Sequence, residues 1–298
     1  MQERSEKDGS LSSDPERAVE IERAIARLAS LRDDAPLGVV AAVACGAEAI
    51  PALRHVLFTR ESSGLYEARR RAVEALAQLR AYEILIEYLD LSREMIDPVE
   101  ETGEQAIINA IARALAEWDD PRAAPLLLGL TYRAPLAGVV EALGKIRCAD
   151  ALDYLVAALA EDGVRPWAEA ALRNLGAMAI PALVETALVR RPADECESVS
   201  SKRRRRSALG LIAEMKLDGT SVWPALSGLM DERDQRARAL ACRIGLRIGP
   251  QRDRRRAVET LIDLLSGSDF LLREDTRDWL AGHHGYAKEA LEREPGIA

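Results

Sequence analysis

Residues 164–188, VRPWAEAALRNLGAMAIPALVETAL, decide the fold. In the first half Ala168, Ala171, Leu172 and Leu175 fall three and four apart, the spacing that lines one face of an α-helix. Gly176 then suits the left-handed turn that ends such a helix, because it has no Cβ to clash there. Ile180, Leu183 and Ala187 open a second stripe, and Pro181 stands early in it, where a missing amide proton costs least. The stretch predicts two helices joined by a tight turn, each apolar on one side only. Neither can bury its stripe without a neighbour.

Working outward, the second phrase recurs as AIPALRHVL from Ala49, AYEILIEYL from Ala81, AAPLLLGL from Ala123, ALDYLVAAL from Ala151, VWPALSGL from Val222 and AVETLIDLL from Ala257. With the copy at Ala179 the successive intervals are 32, 42, 28, 28, 43 and 35 residues. Their mean of about 35 falls in the range that marks helical repeat arrays. Pro51, Pro125 and Pro224 take the place of Pro181 in three further copies. The first phrase is clear again in ARRRAVEALAQL from Ala68. Composition agrees: 48% of residues are hydrophobic and only 4% aromatic, so the core is alanine and branched aliphatics suited to close helix packing.

These phrases resemble the HEAT family, specifically the short HEAT-like repeats of the phycobilin-lyase (PBS lyase) type, with a VRxxAAxALGxIG first helix and an AIPALxxAL second. The match is best over EDGVRPWAEAALRNLGAMAIPALVETAL, good over DERDQRARALACRIGLRIG, and extends from about Asp34 to Ser266. The resemblance implies an all-α, right-handed α-solenoid of about seven to eight stacked hairpins, an ARM-like superhelix, with second helices on the concave wall. The family arginine falls on Arg165 and Arg238, and in looser copies on Arg69 and Arg205; Leu136 and Ile108 stand there in two repeats.

The expected layout is a disordered tail over 1–13 and a single solenoid over 14–298, with a capping helix in 14–33, repeats in 34–266 and a degenerate cap in 267–298. Asp14-Pro15 gives an N-cap and a proline at N1, predicting a helix from Pro15 to Leu31. A terminal repeat should show solvent a polar outer surface. Phe270 to Leu280 and Tyr286 to Leu291 form a last hairpin, with His283 and His284 in an exposed turn. The two long intervals place insertions at 90–104 and 189–201, both on one edge of the stack.

Charge is unevenly spread. The chain carries a net charge of -8, yet residues 190–256 hold 17 Lys and Arg against 9 Asp and Glu. Lys202, Arg203, Arg204, Arg205 and Arg206 open this basic segment; Arg236 and Arg238 follow, then Arg254, Arg255 and Arg256. Together they form a candidate anion-binding patch, since arginine favours phosphate and carboxylate by its bidentate fork. Four consecutive arginines sweep about 300 degrees of a helix and cannot share one solvent face, so either the helix starts within this run or one arginine snorkels out of the stack along its aliphatic stem. The second helices offer the opposite sign: Glu83, Glu87, Asp153, Glu185, Glu259 and Asp263 predict an acidic groove that welcomes a basic or amphipathic segment.

Chemistry is thin. His55, His283 and His284 lack partners at ligand spacing, and the four cysteines form no CxxC pair, so no metal, cofactor or disulfide framework is expected. Deoxyhypusine hydroxylases, whose helical pairs are similar, bind iron through repeated His-Glu dipeptides, and this sequence has none. In alkylation-repair glycosylases aromatic residues line the concave face; here Trp118 and Trp223 fall on buried stripes, leaving Trp167 and Trp279 as interface candidates. No stretch reaches the length of a membrane helix, and the opening residues do not read as a secretory signal, so a cytoplasmic protein is expected. The functional expectation is a non-catalytic protein-binding scaffold or adaptor, with a nucleic-acid binder using residues 202–256, or an enzyme or enzyme subunit like a phycobilin lyase, as alternatives.

Overall fold

The computed structural model describes residues 15–30, 35–60, 65–91, 96–190, 192–193, 196–217, 222–266 and 269–291. The tail expected at 1–13 lies outside them. The chain divides into two compact units, residues 1–126 and 127–298. Both are built of helical hairpins.

The first unit contains α1 (Pro15–Leu28), α2 (Ala35–Ala44), α3 (Ile50–Phe58), α4 (Glu67–Gln78), α5 (Tyr82–Leu91) and α6 (Pro98–Leu115), and α7 (Ala123–Leu128) crosses the division. The first helix of each repeat packs on the next, α2 on α4 and α4 on α6, while α3 closes against α4. Leu53, Leu57, Val73, Leu76, Leu85 and Ile108 are fully or almost fully buried between them. The expected helix to Leu31 ends at Leu28. Its partner α2 has no charged residue, and Leu37 and Val40 are 58% and 63% exposed.

The insertion at 90–104 is mostly helix. Asp97 is the N-cap of α6, accepting from the amides of Val99 and Glu100, and Pro98 takes N1. The extra residues lengthen the first helix of the third repeat to 18 residues and carry Glu104 into the interior, 1% exposed. There Glu104 accepts from Tyr88 at 2.7 Å and faces Arg69, whose Nε donates to the Leu57 carbonyl at 3.0 Å. Burial, reinforced by the hydrogen bond to Glu104, raises the Tyr88 phenol well above its ordinary pKa.

The second unit contains α8 (Ala137–Lys145), α9 (Leu152–Ala158), α10 (Arg165–Leu175), α11 (Ile180–Leu188), α12 (Val199–Glu214), α13 (Trp223–Leu226), α14 (Gln235–Ile248), α15 (Gln251–Leu265), α16 (Phe270–Gly282) and α17 (His284–Leu291). First helices α8, α10, α12 and α14 pack in sequence, and α9, α11 and α13 form the opposing layer. α8 and α10 cross closely at Gly144, where a Cβ would lie 2.3 Å from that of Ala171. The insertion at 189–201 holds an antiparallel pair of two-residue strands, β1 (Pro192–Ala193) and β2 (Cys196–Glu197), and then the start of α12. Ser198 caps that helix through the Ser201 amide.

Turn chemistry repeats as closely as the stripes. Gly176 has φ 60°, and Gly46, preceding the first AIPAL copy, has φ 68°. Each starts a short 3-10 turn that delivers the Ile-Pro-Ala-Leu helix. At two other hairpins the left-handed residue is an arginine, Arg80 at φ 56° and Arg147 at φ 54°. Around each, the next amide reaches back five residues, Ala81 to Leu76 and Cys148 to Leu143, closing a Schellman motif.

Candidate functional site

The basic run lies on α12, and the helix sends it in two directions. Val199, Lys202, Arg203, Arg206, Gly210 and Glu214 share one face at helical spacing, while Arg204 and Arg205 turn inward and are 5% and 1% exposed. Arg205 donates from Nε to the Ala187 carbonyl at 2.8 Å, from Nη1 to Glu197 at 2.8 Å and from Nη2 to Glu232 at 2.8 Å. Ala187 and Leu57 each stand eighth after the alanine that opens an AIPAL phrase. Arg205 and Arg69 therefore do the same work, each fastening the end of a second helix to the following first helix. A buried carboxylate of the next repeat, Glu232 or Glu104, completes each pair. Burial pushes the Glu232 carboxyl up, but hydrogen bonds from Arg205 and Arg190 outweigh it and hold the group at about 2.

The outward face of α12 floors an open groove of about 780 Å³, walled by α10 on one side and by α14 and α16 on the other. Arg203 pairs with Asp162 at 2.7 Å near the start of α10, and Arg173 with Glu214 at 2.9 Å toward the far ends, so α10 and α12 run parallel. Arg206 reaches Asp234, the N-cap of α14, at 2.8 Å, and Arg236 reaches Asp269, the N-cap of α16, at 3.4 Å. A ladder of arginines onto helix-start carboxylates thus edges the groove. Lys202 has no side-chain partner among the described residues.

Between ladder and far end the lining is apolar or small: Gly210, Leu211, Ala239, Leu240 and Leu272, with Val199 and Leu271 on the rim 70% and 66% exposed. Gly210 stands inside α12, where glycine is about 1 kcal/mol worse than alanine. Among the described residues, a Cβ there would meet nothing within 4 Å. Packing does not require the glycine.

Of the ten candidate anion-binding residues, the groove collects Lys202, Arg203, Arg206 and Arg236. Arg204 and Arg205 are interior, and Arg238 is half-buried on α14. Arg254 caps the end of α14 through the Gly249 carbonyl at 2.8 Å, Arg255 lies 3.7 Å from Glu259, and Arg256 pairs with Asp231. The structure does not bring the ten onto one surface. The groove adds Arg165, Arg173, Val199, Gly210 and Leu271, which the sequence did not mark as site residues; the signal available was a glycine inside a well-formed helical stripe.

The acidic second-helix residues are dispersed. In the first unit Glu83 pairs with Arg122 at 2.9 Å and Glu87 with Arg54, both on the solvent side of α5. In the second unit Asp153, Glu185 and Asp263 are exposed without side-chain partners among the described residues. None of the six lines the groove. Trp118 stacks on Tyr82 at 4.7 Å with Arg122 on its ring, Trp223 is 3% exposed and donates to Asp253 at 2.7 Å, and Trp167 is 38% exposed. His283 stacks on Trp279 at 4.4 Å instead of standing free in its turn.

Fold and groove together define an all-α protein of stacked helical hairpins with an open amphipathic channel along the first helices of its second unit. Residues 136–161, which span the α8–α9 hairpin, match the family model PBS lyase HEAT-like repeat. Among solved structures the chain is similar to the complex of CpcE and CpcF of phycocyanin lyase from Nostoc sp. PCC7120, at 22% identity over 95% of this chain and 98% of that one, with a TM-score of 0.36. A designed armadillo repeat protein in complex with the peptide (KR)4 is similar at 15% identity, over 92% and 100% of the two chains, TM-score 0.31. Human deoxyhypusine hydroxylase in complex with glycerol is similar at 15% identity, over 90% and 97%, TM-score 0.29. No curated protein matches the sequence. No described helix is long and apolar enough to cross a membrane.

Proposed function

We propose that this chain is a non-catalytic adaptor that holds a segment of a partner protein, and that the groove along α12 is where it does so. The observation that carries the reading is Gly210: an unpacked glycine inside a helix, at the floor of an open channel whose rim exposes Val199 and Leu271. Concave apolar surface edged by fixed polar groups is the usual form of a recognition site. An anchor side chain of the partner seated over Gly210 would bury that surface. Nucleic acid fits less well, because Arg203, Arg206 and Arg236 already hold carboxylates and Arg204 and Arg205 are inside.

A photo-crosslinking residue placed at position 210, compared with one at exposed Arg147, tests the reading in native-host lysate. A protein captured at 210 and not at 147, and retained by the affinity-purified wild-type chain but not by Gly210→Trp, is the expected result. Retention of the same proteins by wild type and Gly210→Trp would refute it. So would DNA or RNA binding at low salt with a steep salt dependence that Arg206→Ala and Arg236→Ala reduce.

A further inference from the structure

Resting on that reading, we infer that the groove takes an amphipathic helical segment with an acidic end, its carboxylates directed at Lys202 and its apolar stripe at Gly210. The charges are ordered along the channel. Arg165, Lys202, Arg203, Arg206 and Arg236 all come from the first halves of α10, α12 and α14, and these ends lie at one edge because the helices run parallel. The carboxylates that meet them are Asp162, Asp234 and Asp269, and Asp162 is shared by Arg165 at 2.7 Å and Arg203 at 2.7 Å. Four of the five cations are thus paired with these three carboxylates, and Lys202 is left without one among the described residues. At the opposite edge Glu214 engages Arg173, which also lies 3.9 Å from Glu169, so no cation is in excess there.

A basic segment would set its own charges against the cationic edge. A nucleic acid would have to lay phosphates along an apolar middle and past Glu169, Glu214 and Asp275. A helix with carboxylates at one end and aliphatic side chains along one stripe matches the cationic edge and the apolar middle of the lining. Length agrees, since the α12 stripe from Val199 to Glu214 spans about 22 Å, or roughly four helical turns. Side chains at i, i+3, i+4 and i+7 of such a segment would follow the channel, the usual helix-in-groove mode.

The test uses the full-length chain and a phage-displayed library of random peptides about four helical turns long, panned at low salt with Gly210→Trp as the counter-selecting bait. Enriched sequences are synthesised with a fluorophore and titrated by anisotropy. The expected consensus has apolar residues at helical spacing and Asp or Glu gathered at one end. Gly210→Trp should weaken binding about tenfold or more, and Lys202→Glu should weaken it several-fold and flatten its salt dependence, with Lys202→Arg retaining affinity. Circular dichroism of each variant confirms folding. Peptides that discriminate against Gly210→Trp but are basic or unbiased in charge overturn the acidic chemistry and leave the groove standing. Failure to enrich any Gly210→Trp-sensitive peptide overturns the groove itself.

Discussion

Glu232→Gln isolates the buried ion pair that joins α12 to the start of α14. In the folded chain the carboxyl titrates at about 2 against an ordinary value of 4.5, because Arg205 and Arg190 outweigh the cost of its burial. At about 1.4 kcal/mol per pH unit, that difference corresponds to roughly 3 kcal/mol of folding free energy at neutral pH. The sign follows from a depressed folded value: the stabilisation is fully present above pH 4.5 and is lost as pH falls through about 2. Glutamine keeps the shape and removes the charge, leaving Arg205 with Glu197 and the Ala187 carbonyl. Urea unfolding followed by far-UV circular dichroism should show a loss of roughly 3 kcal/mol at pH 7 that shrinks steadily below pH 4.5. Because stacked repeats can open in parts, hydrogen exchange across α12 and α14 should show the loss concentrated there. A cost independent of pH, or one under about 0.5 kcal/mol at pH 7, would mean that Glu232 behaves like a surface pair and the reasoning fails.

Two further substitutions test the backbone. Gly144→Ala forces a Cβ into Ala171 across the α8–α10 crossing and should destabilise by about 1–2 kcal/mol despite the better helix propensity of alanine. Ala171→Gly should not restore the denaturant midpoint, because the new Cβ would also lie 2.5 Å from the Ala171 Cα, and a neutral single variant would show that the helices are not in close contact. Arg147→Gly should stabilise by about 1 kcal/mol, since its left-handed backbone costs an L-residue that much and its exposed side chain has no partner among the described residues. A lowered thermal midpoint would contradict the Schellman geometry.

The hairpin at 164–188 was legible because its signals are local. Stripe spacing, a glycine at φ 60° and a proline at N1 or N2 each act within a few residues, and α10 and α11 form where those signals stand. The insertion at 90–104 carried a signal of the same kind: Asp97-Pro98 is an N-cap and N1 pair like Asp14-Pro15, and it starts α6 as a helix where length alone suggests a loop. VWPALSGL shows the limit of the phrase, because only Trp223–Leu226 is α-helix before the chain tightens into a 3-10 turn. Pairing was out of local reach. Arg69 meets Glu104 across 35 residues, Arg54 meets Glu87 across 33, Arg236 meets Asp269 across 33 and Arg190 meets Glu232 across 42. Those separations fall within the range of the repeat intervals, so once the period is known, charges about one interval apart become candidates for a pair.

That spacing explains the arginines better than an anion-binding role does. Only five of the 41 Lys and Arg residues are lysine. A planar guanidinium can donate from Nε to a helix-end carbonyl while its Nη atoms hold a carboxylate of the next repeat, and an ammonium offers no such fixed fork. Arg69 and Arg205 both use this geometry. Arg71 holds the Leu28 and Ser30 carbonyls at the end of α1, and Arg247 holds Ala213 and Met215 at the end of α12. Among the described residues, eight of the 17 Lys and Arg in residues 190–256 are thus committed to joining one hairpin to the next. In the KRRRR run the one residue lacking the fork is Lys202, and it is also the one whose charge faces the groove without a carboxylate among the described residues. For that reason its substitution can report on a ligand without first dismantling the stack.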